Sequence, residues 1–196
     1  MVISPEVLMG YVNGLFWPFV RISSMLMTAP LFGARTFPIR SRILLALLIS
    51  WLVFPLLPEM PSLNAFSIQG MLITAQQVVV GLAMGFILQM VFAATVVAGQ
   101  TIATSMGLGF ASTVDPQNGV QVPVVSQYFL ILATLIFLAL NGHLVMIETV
   151  VESFYLLPVS VTVFPENLAW QVASWIGQVF TGALLVAMPA VSAILL

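Results

Sequence analysis

Charge is what this sequence lacks most. Of its 196 residues only 5% are Asp, Glu, Lys or Arg, where an ordinary soluble domain carries about 25%. That shortage excludes a soluble globular protein, a disordered protein and a nucleic-acid binder together. Lysine is absent. The four basic residues are Arg21, Arg35, Arg40 and Arg42, against six acids, Glu6, Glu59, Asp115, Glu148, Glu152 and Glu166. Cysteine is absent too, which removes disulfides, thiolate catalysis and cysteine zinc sites. His143 is the single histidine, so no His-rich metal site can form within the chain. The opening Met-Val-Ile-Ser-Pro-Glu lacks the positive region of a cleavable signal peptide, so the first apolar stretch reads as retained.

What is present is apolar: 61% hydrophobic residues and a mean hydropathy of +1.18. Turn signals divide the chain into apolar segments at about 7–31, 43–57, 68–104, 124–140, 144–157 and 168–196. An open sheet cannot satisfy its backbone in lipid, so the expected fold class is all-α, a polytopic-type chain of long and short helices and helical hairpins. The whole chain, 1–196, reads as one membrane-type domain. The third segment is too long for a simple span: about 37 residues give about 55 Å against a hydrocarbon core of about 30 Å. Long and short apolar helices together suggest packing into an apolar assembly. The chain stops at Ala-Ile-Leu-Leu inside an apolar run, which reads as a truncation or as the end of the ordered part. Arg35, Arg40 and Arg42 share one short loop, which the positive-inside rule places in the cytoplasm with the N-terminus outside.

Few residues can carry chemistry. Arg21 lies within the first apolar segment and needs a carboxylate, a carbonyl cluster or water. Glu148 and Glu152, four apart on one helix face, are its candidate ion-pair partners; the plainer reading is a polar helix face. His143 in Asn141-Gly142-His143 is either a pH-sensitive switch or the polar corner of a tight helical hairpin in which Gly142 supplies the turn. Gln77, Gly81, Gly85, Gln89 and Ala93 recur every fourth residue. Gly81 and Gly85 allow close helix approach and the amides can hydrogen-bond across it, within this chain or against another subunit. The run from Met106 to Pro123 is broken by Gly107, Gly109, Gly119, Pro116 and Pro123, yet carries Leu108, Phe110, Ala111, Val114 and Val120. Irregular backbone at membrane depth belongs in a cavity or against protein, so this run is either a re-entrant plug or an extramembrane connector. No catalytic motif and no cofactor-binding signature is present; an enzyme is not expected.

Three stretches, in order, resemble the FliR family of flagellar type III export proteins. They are Phe37-Pro38-Ile39-Arg40-Ser41-Arg42-Ile43-Leu44-Leu45-Ala46-Leu47, then Gly107-Leu108-Gly109-Phe110-Ala111-Ser112-Thr113-Val114-Asp115-Pro116, then Phe137-Leu138-Ala139-Leu140-Asn141-Gly142-His143 followed by Pro158. The resemblance covers essentially the whole chain; family members usually run a few tens of residues further. It implies a core subunit of an export gate in the bacterial inner membrane, at the flagellar basal body. FliP-like and FliQ-like subunits would complete the ring, with a FlhB-like subunit beside it, and unfolded polypeptide would pass through. Much of the apolar surface would then be buried between subunits, raised above the membrane plane, with the rest meeting lipid. The resemblance also implies that the loop at about 106–122, beginning at Met106, is a pore plug; in such a plug Leu108, Phe110 and Val114 would supply the seal, Gly107, Gly109 and Gly119 the hinges, and Asp115-Pro116 a fixed turn. The equivalent subunit of a virulence injectisome is the alternative within the family. A small-molecule secondary transporter is the alternative outside it, although no repeated half is visible.

Overall fold

The computed structural model describes residues 5–34, 37–58, 67–115, 119–160 and the single positions 170, 181 and 188. The last apolar segment therefore lies outside the described residues except at those three positions, as do Arg35, Glu59, Pro116 and Glu166. Five helices make up most of the fold: α1 (Pro5–Thr28), α2 (Ile39–Val53), α3 (Ile68–Ser105), α4 (Val124–Ala139) and α5 (Gly142–Leu156). The all-α class expected from composition is what forms, with one small addition. Two three-residue strands, β1 (Ser112–Val114) and β2 (Gln121–Pro123), join α3 to α4.

Each boundary has a local cause. Pro38 precedes α2 in an extended conformation, φ −64° and ψ 137°. Pro55 tightens the far end into a short 3₁₀ turn, Phe54–Leu56. The Ser67 hydroxyl accepts the Gly70 N–H at 3.0 Å and caps the start of α3. Within the apolar helices, hydroxyls are satisfied internally: Thr74, Thr101, Thr134 and Thr149 donate to carbonyls one turn back. That is how polar residues persist in segments this apolar. No helix break interrupts α3, whose 38 residues span about 57 Å.

The packing is organised by small residues. Arg21 meets Gln77, Ser24 meets Gly81, and Thr28 meets Gly85. The pairings advance in the same direction, so α1 and α3 run parallel. α2 returns along α1, with Phe54 at its far end lying against Gly14 of α1. α4 runs antiparallel to α3, with Gly99 against Ser126 at one end and Phe92 edge-on to Phe137 at 5.6 Å at the other. α5 turns away from α4 by 67°. It brings Met146, Val150 and Phe154 into the main core with Trp17, Ile22 and Met25.

The corner between α4 and α5 corrects the expectation of a tight hairpin. A 67° bend is a broken helix, not a reversal. The residue in the left-handed conformation is Asn141, φ 56°, not Gly142. Gly142 is needed for space: a Cβ there would collide with the Phe137 ring. His143 follows in the first turn of α5, half-buried, with its Nδ1 unpartnered.

Candidate gate segment and the buried arginine

The segment between α3 and α4 is more ordered than its composition suggests. α3 ends in a Schellman arrangement: the Gly107 N–H reaches the Thr104 carbonyl at 3.1 Å, and the Leu108 N–H reaches the Ala103 carbonyl at 2.9 Å. Gly107 takes φ +70°, which a residue with a Cβ adopts only at a cost. The expected irregular loop is in fact an antiparallel hairpin. Ser112 faces Pro123, Thr113 faces Val122 and Val114 faces Gln121. The Val124 N–H to Ala111 carbonyl bond, 2.9 Å, extends the ladder. At the other end the Asp115 N–H donates to the Val120 carbonyl and the Gly119 N–H to the Asp115 carbonyl, both at 2.8 Å. Asp115 is buried there, at 1% exposure.

This bracing holds apolar side chains out of the fold. Phe110 is 100% exposed. Met106, Leu108, Val114 and Val120 are all exposed. Val122 and the adjoining Pro123 turn inward instead. Of the three glycines read as hinges, Gly107 and Gly119 have positive φ and Gly109 does not. Hinge character at Gly109 therefore has no backbone support. Pro116, read with Asp115 as a turn former, lies outside the described residues.

Arg21 is 1% exposed, and its partners differ from those expected. Nε donates to Gln77 Oε1 at 2.7 Å. One terminal nitrogen donates to the Ser153 carbonyl at 2.8 Å and to its hydroxyl at 3.0 Å. The other donates to the Leu157 carbonyl at 2.8 Å. The guanidinium lies over the Phe154 ring, 3.9 Å from its centre. Glu148 and Glu152 are exposed on the opposite face of α5 and take no part, so the expected ion pair is replaced by a carbonyl cluster. The physical reason is the helix end. The C-terminal end of α5 carries partial negative charge; the Ser153 carbonyl, which already accepts the Leu157 N–H at 2.9 Å, takes Arg21 as a second donor, and the Leu157 carbonyl just past the helix end takes another. Ser153, Phe154 and Leu157 were missed by sequence reasoning. The signal was the apolar stripe Met146, Val150, Ser153, Phe154, which turns those residues inward and the two glutamates outward.

The Gly81 and Gly85 stripe is an internal contact. A Cβ on Gly81 would run into the Ser24 hydroxyl and the Arg21 carbonyl. One on Gly85 would meet the Met25 carbonyl at 2.5 Å and the Ala29 nitrogen at 3.0 Å. Gln89 lies beyond this contact, half-buried, beside a small cavity of about 230 Å³ at the end of α1. Among the described residues no cluster of three or more His, Cys, Asp or Glu is placed to hold a metal.

Comparison with known proteins places this architecture. Residues 12–196 match the family described as bacterial export proteins, family 1. A relative from Pectobacterium carotovorum is 38% identical over 188 residues, covering 96% of this chain and 72% of its own length. It is named flagellar biosynthetic protein FliR. The chain belongs to the FliR family of bacterial export proteins. FliR proteins of the same name from Escherichia coli K12 and Bacillus subtilis 168 are 33% and 32% identical over 193 and 182 residues. These alignments cover 98% and 91% of this chain, and 74% and 70% of the relatives. Membership fits the apolar, membrane-type helices of a protein-export component. The relatives named here all carry flagellar names, which favours the flagellar over the injectisome branch.

Proposed function

We propose that this FliR-family chain is a core subunit of the flagellar type III export gate in the bacterial inner membrane, and that the segment from Met106 to Val122 is the plug of its pore. It is a structural transport subunit, not an enzyme, and it needs no cofactor. FliP-like and FliQ-like subunits complete the ring, a FlhB-like subunit adjoins it, and unfolded flagellar protein is the cargo. The observation that carries the reading is Phe110, wholly exposed on a segment that is otherwise internally braced.

A pore for unfolded chains must close without leaking ions. Apolar side chains seal by contact and by dewetting, without needing a specific cargo sequence. The Schellman end of α3 and the β1–β2 ladder fix the base of the segment. Leu108, Phe110 and Val114 then supply the sealing surface, and Gly107 and Gly119 mark where the backbone turns into and around the plug.

The test replaces residues 108–122 with a short Gly-Ser link. The expected result is a complex of unchanged subunit content, judged by co-purification, in a membrane that has become permeable to small ions. Phe110→Asp is the finer variant; the residue has no packing to lose, so assembly is unaffected while the leak rises. An ion-tight membrane in both variants would overturn the plug.

A further inference from the structure

We infer that the outer face of α2 meets lipid, with Arg40 at its N-terminal end holding the phosphate of an anionic phospholipid. Exposed apolar faces occur on α3 and α4 as well, so exposure alone does not single out α2. Three observations together do.

The first is length. α2 with its 3₁₀ turn, Ile39–Leu56, is an 18-residue stretch long and apolar enough to cross a membrane, with its two arginines confined to the first turn. At about 1.5 Å per residue it is about 27 Å long from that arginine turn to its far end, the scale of a thin hydrocarbon core with one headgroup edge. α3 overshoots at 38 residues, and α4 and α5 are bent apart by 67°. The second is the distribution of burial. Only the stripe Ala46, Ser50 and Val53 is buried. Leu44, Leu48, Trp51 and Leu52 are 62%, 64%, 71% and 70% exposed on the other side. The third is charge. Among the described residues, Arg40 and Arg42 are the basic side chains outside the core, and both lie in the first turn of α2. No acid occupies that turn. Arg40 is fully available. Arg42 is only loosely held, with one terminal nitrogen 3.3 and 3.4 Å from the Ala34 and Phe37 carbonyls and Nε unpartnered.

At the far end Tyr155, 61% exposed, donates its phenol to the Leu56 carbonyl. An amphipathic aromatic at one limit of an apolar stretch and arginines at the other is the pattern of a lipid-facing helix. An anionic leaflet attracts arginine at the edge of such a face.

The experiment uses the full chain in its native complex, extracted from the membrane into lipid discs. Retention of phosphatidylglycerol is compared with that of phosphatidylcholine by native mass spectrometry. Phosphatidylglycerol is expected to be preferred, with about a fivefold loss of that preference in Arg40→Gln. Arg40→Lys should keep the preference, and excess inorganic phosphate should not displace the lipid. These 196 residues hold no cysteine, so once any cysteines elsewhere in the complex are replaced by serine, Leu48→Cys is a single labelling site. A nitroxide there should be open to oxygen dissolved in the bilayer. Equal retention of both lipids in wild type and Arg40→Gln would overturn the proposal. So would a nitroxide shielded from oxygen that cross-links to another chain, since a subunit would then cover α2. Ion leakage plays no part in these readouts, so they stand or fall separately from the plug.

Discussion

Arg21 shows how one buried cation can be kept without a counter-charge. Its hydrogen bonds go to a side-chain amide, a hydroxyl and two carbonyls at the end of α5, and its flat face rests on Phe154. Replacing it with a neutral apolar residue leaves Gln77 Oε1 and the Leu157 carbonyl buried without donors. Each such orphan costs about 1–3 kcal/mol. Arg21→Met is therefore expected to destabilise the assembled protein by about 3 kcal/mol, read as a drop in the thermal midpoint of the detergent-solubilised complex. Glu148→Gln and Glu152→Gln should change stability by no more than about 0.5 kcal/mol, leaving the midpoint essentially at its wild-type value, as exposed surface changes usually do. A large effect from either glutamate would restore the ion-pair reading. Arginine at this position was legible as a residue needing partners; which partners it takes was not, because they come from the end of a helix more than a hundred positions away.

At the scale of elements, the α1–α3 crossing depends on two glycines meeting two hydroxyl residues in step. Gly85→Ala would place its Cβ 2.5 Å from the Met25 carbonyl and 3.0 Å from the Ala29 nitrogen, and backbone does not yield as a side chain does. The cost falls at the upper end of overpacking penalties, about 3 kcal/mol. It should appear as loss of assembled complex from the membrane fraction. Gly109→Ala is the contrast. Its nearest neighbour is the Thr104 methyl at 3.5 Å and its φ is not positive, so the expected change is within about 0.5 kcal/mol. If the two variants behaved alike, close approach would not be the reason for Gly85. The four-residue spacing of the stripe was visible in the sequence. Its partner, Ser24 and Thr28 on α1, was not, because small polar residues at that spacing are common and only the fold aligns them. The gate segment was misread in the same way: its glycines and prolines announced irregular backbone, while the pairing of Ser112–Val114 with Gln121–Pro123 depends on how α3 and α4 bring the two ends together.

On the scale of the whole molecule, exposed apolar surface extends beyond the α2 face. Ile68 and Met71 on α3, and Tyr128 and Leu135 on α4, also face outward. A cavity of about 520 Å³, lined by Met84, Leu88, Phe137 and Met146 among others, opens between α3 and the α4–α5 corner. Surfaces of this kind mark interaction sites. Expressed without the other export subunits, the chain is expected to be cleared several-fold faster in a pulse-chase measurement, and co-expression of the whole apparatus should restore it. Equal lifetimes in both settings would mean that lipid alone satisfies these faces.

Composition and hydropathy by themselves determined that the chain is helical and apolar, because a segment nearly free of charge can satisfy its backbone in lipid only within itself. The order of three short motifs determined its family. Tertiary structure decided the rest: the parallel pairing of α1 with α3, the 67° break at Asn141, the hairpin in the gate segment and the partners of Arg21. The α1–α3 pairing and the partners of Arg21 depend on contacts between residues far apart in the chain. Local propensity does not encode such contacts; they arise when close-packed helices leave a polar group or a small side chain a single place to fit.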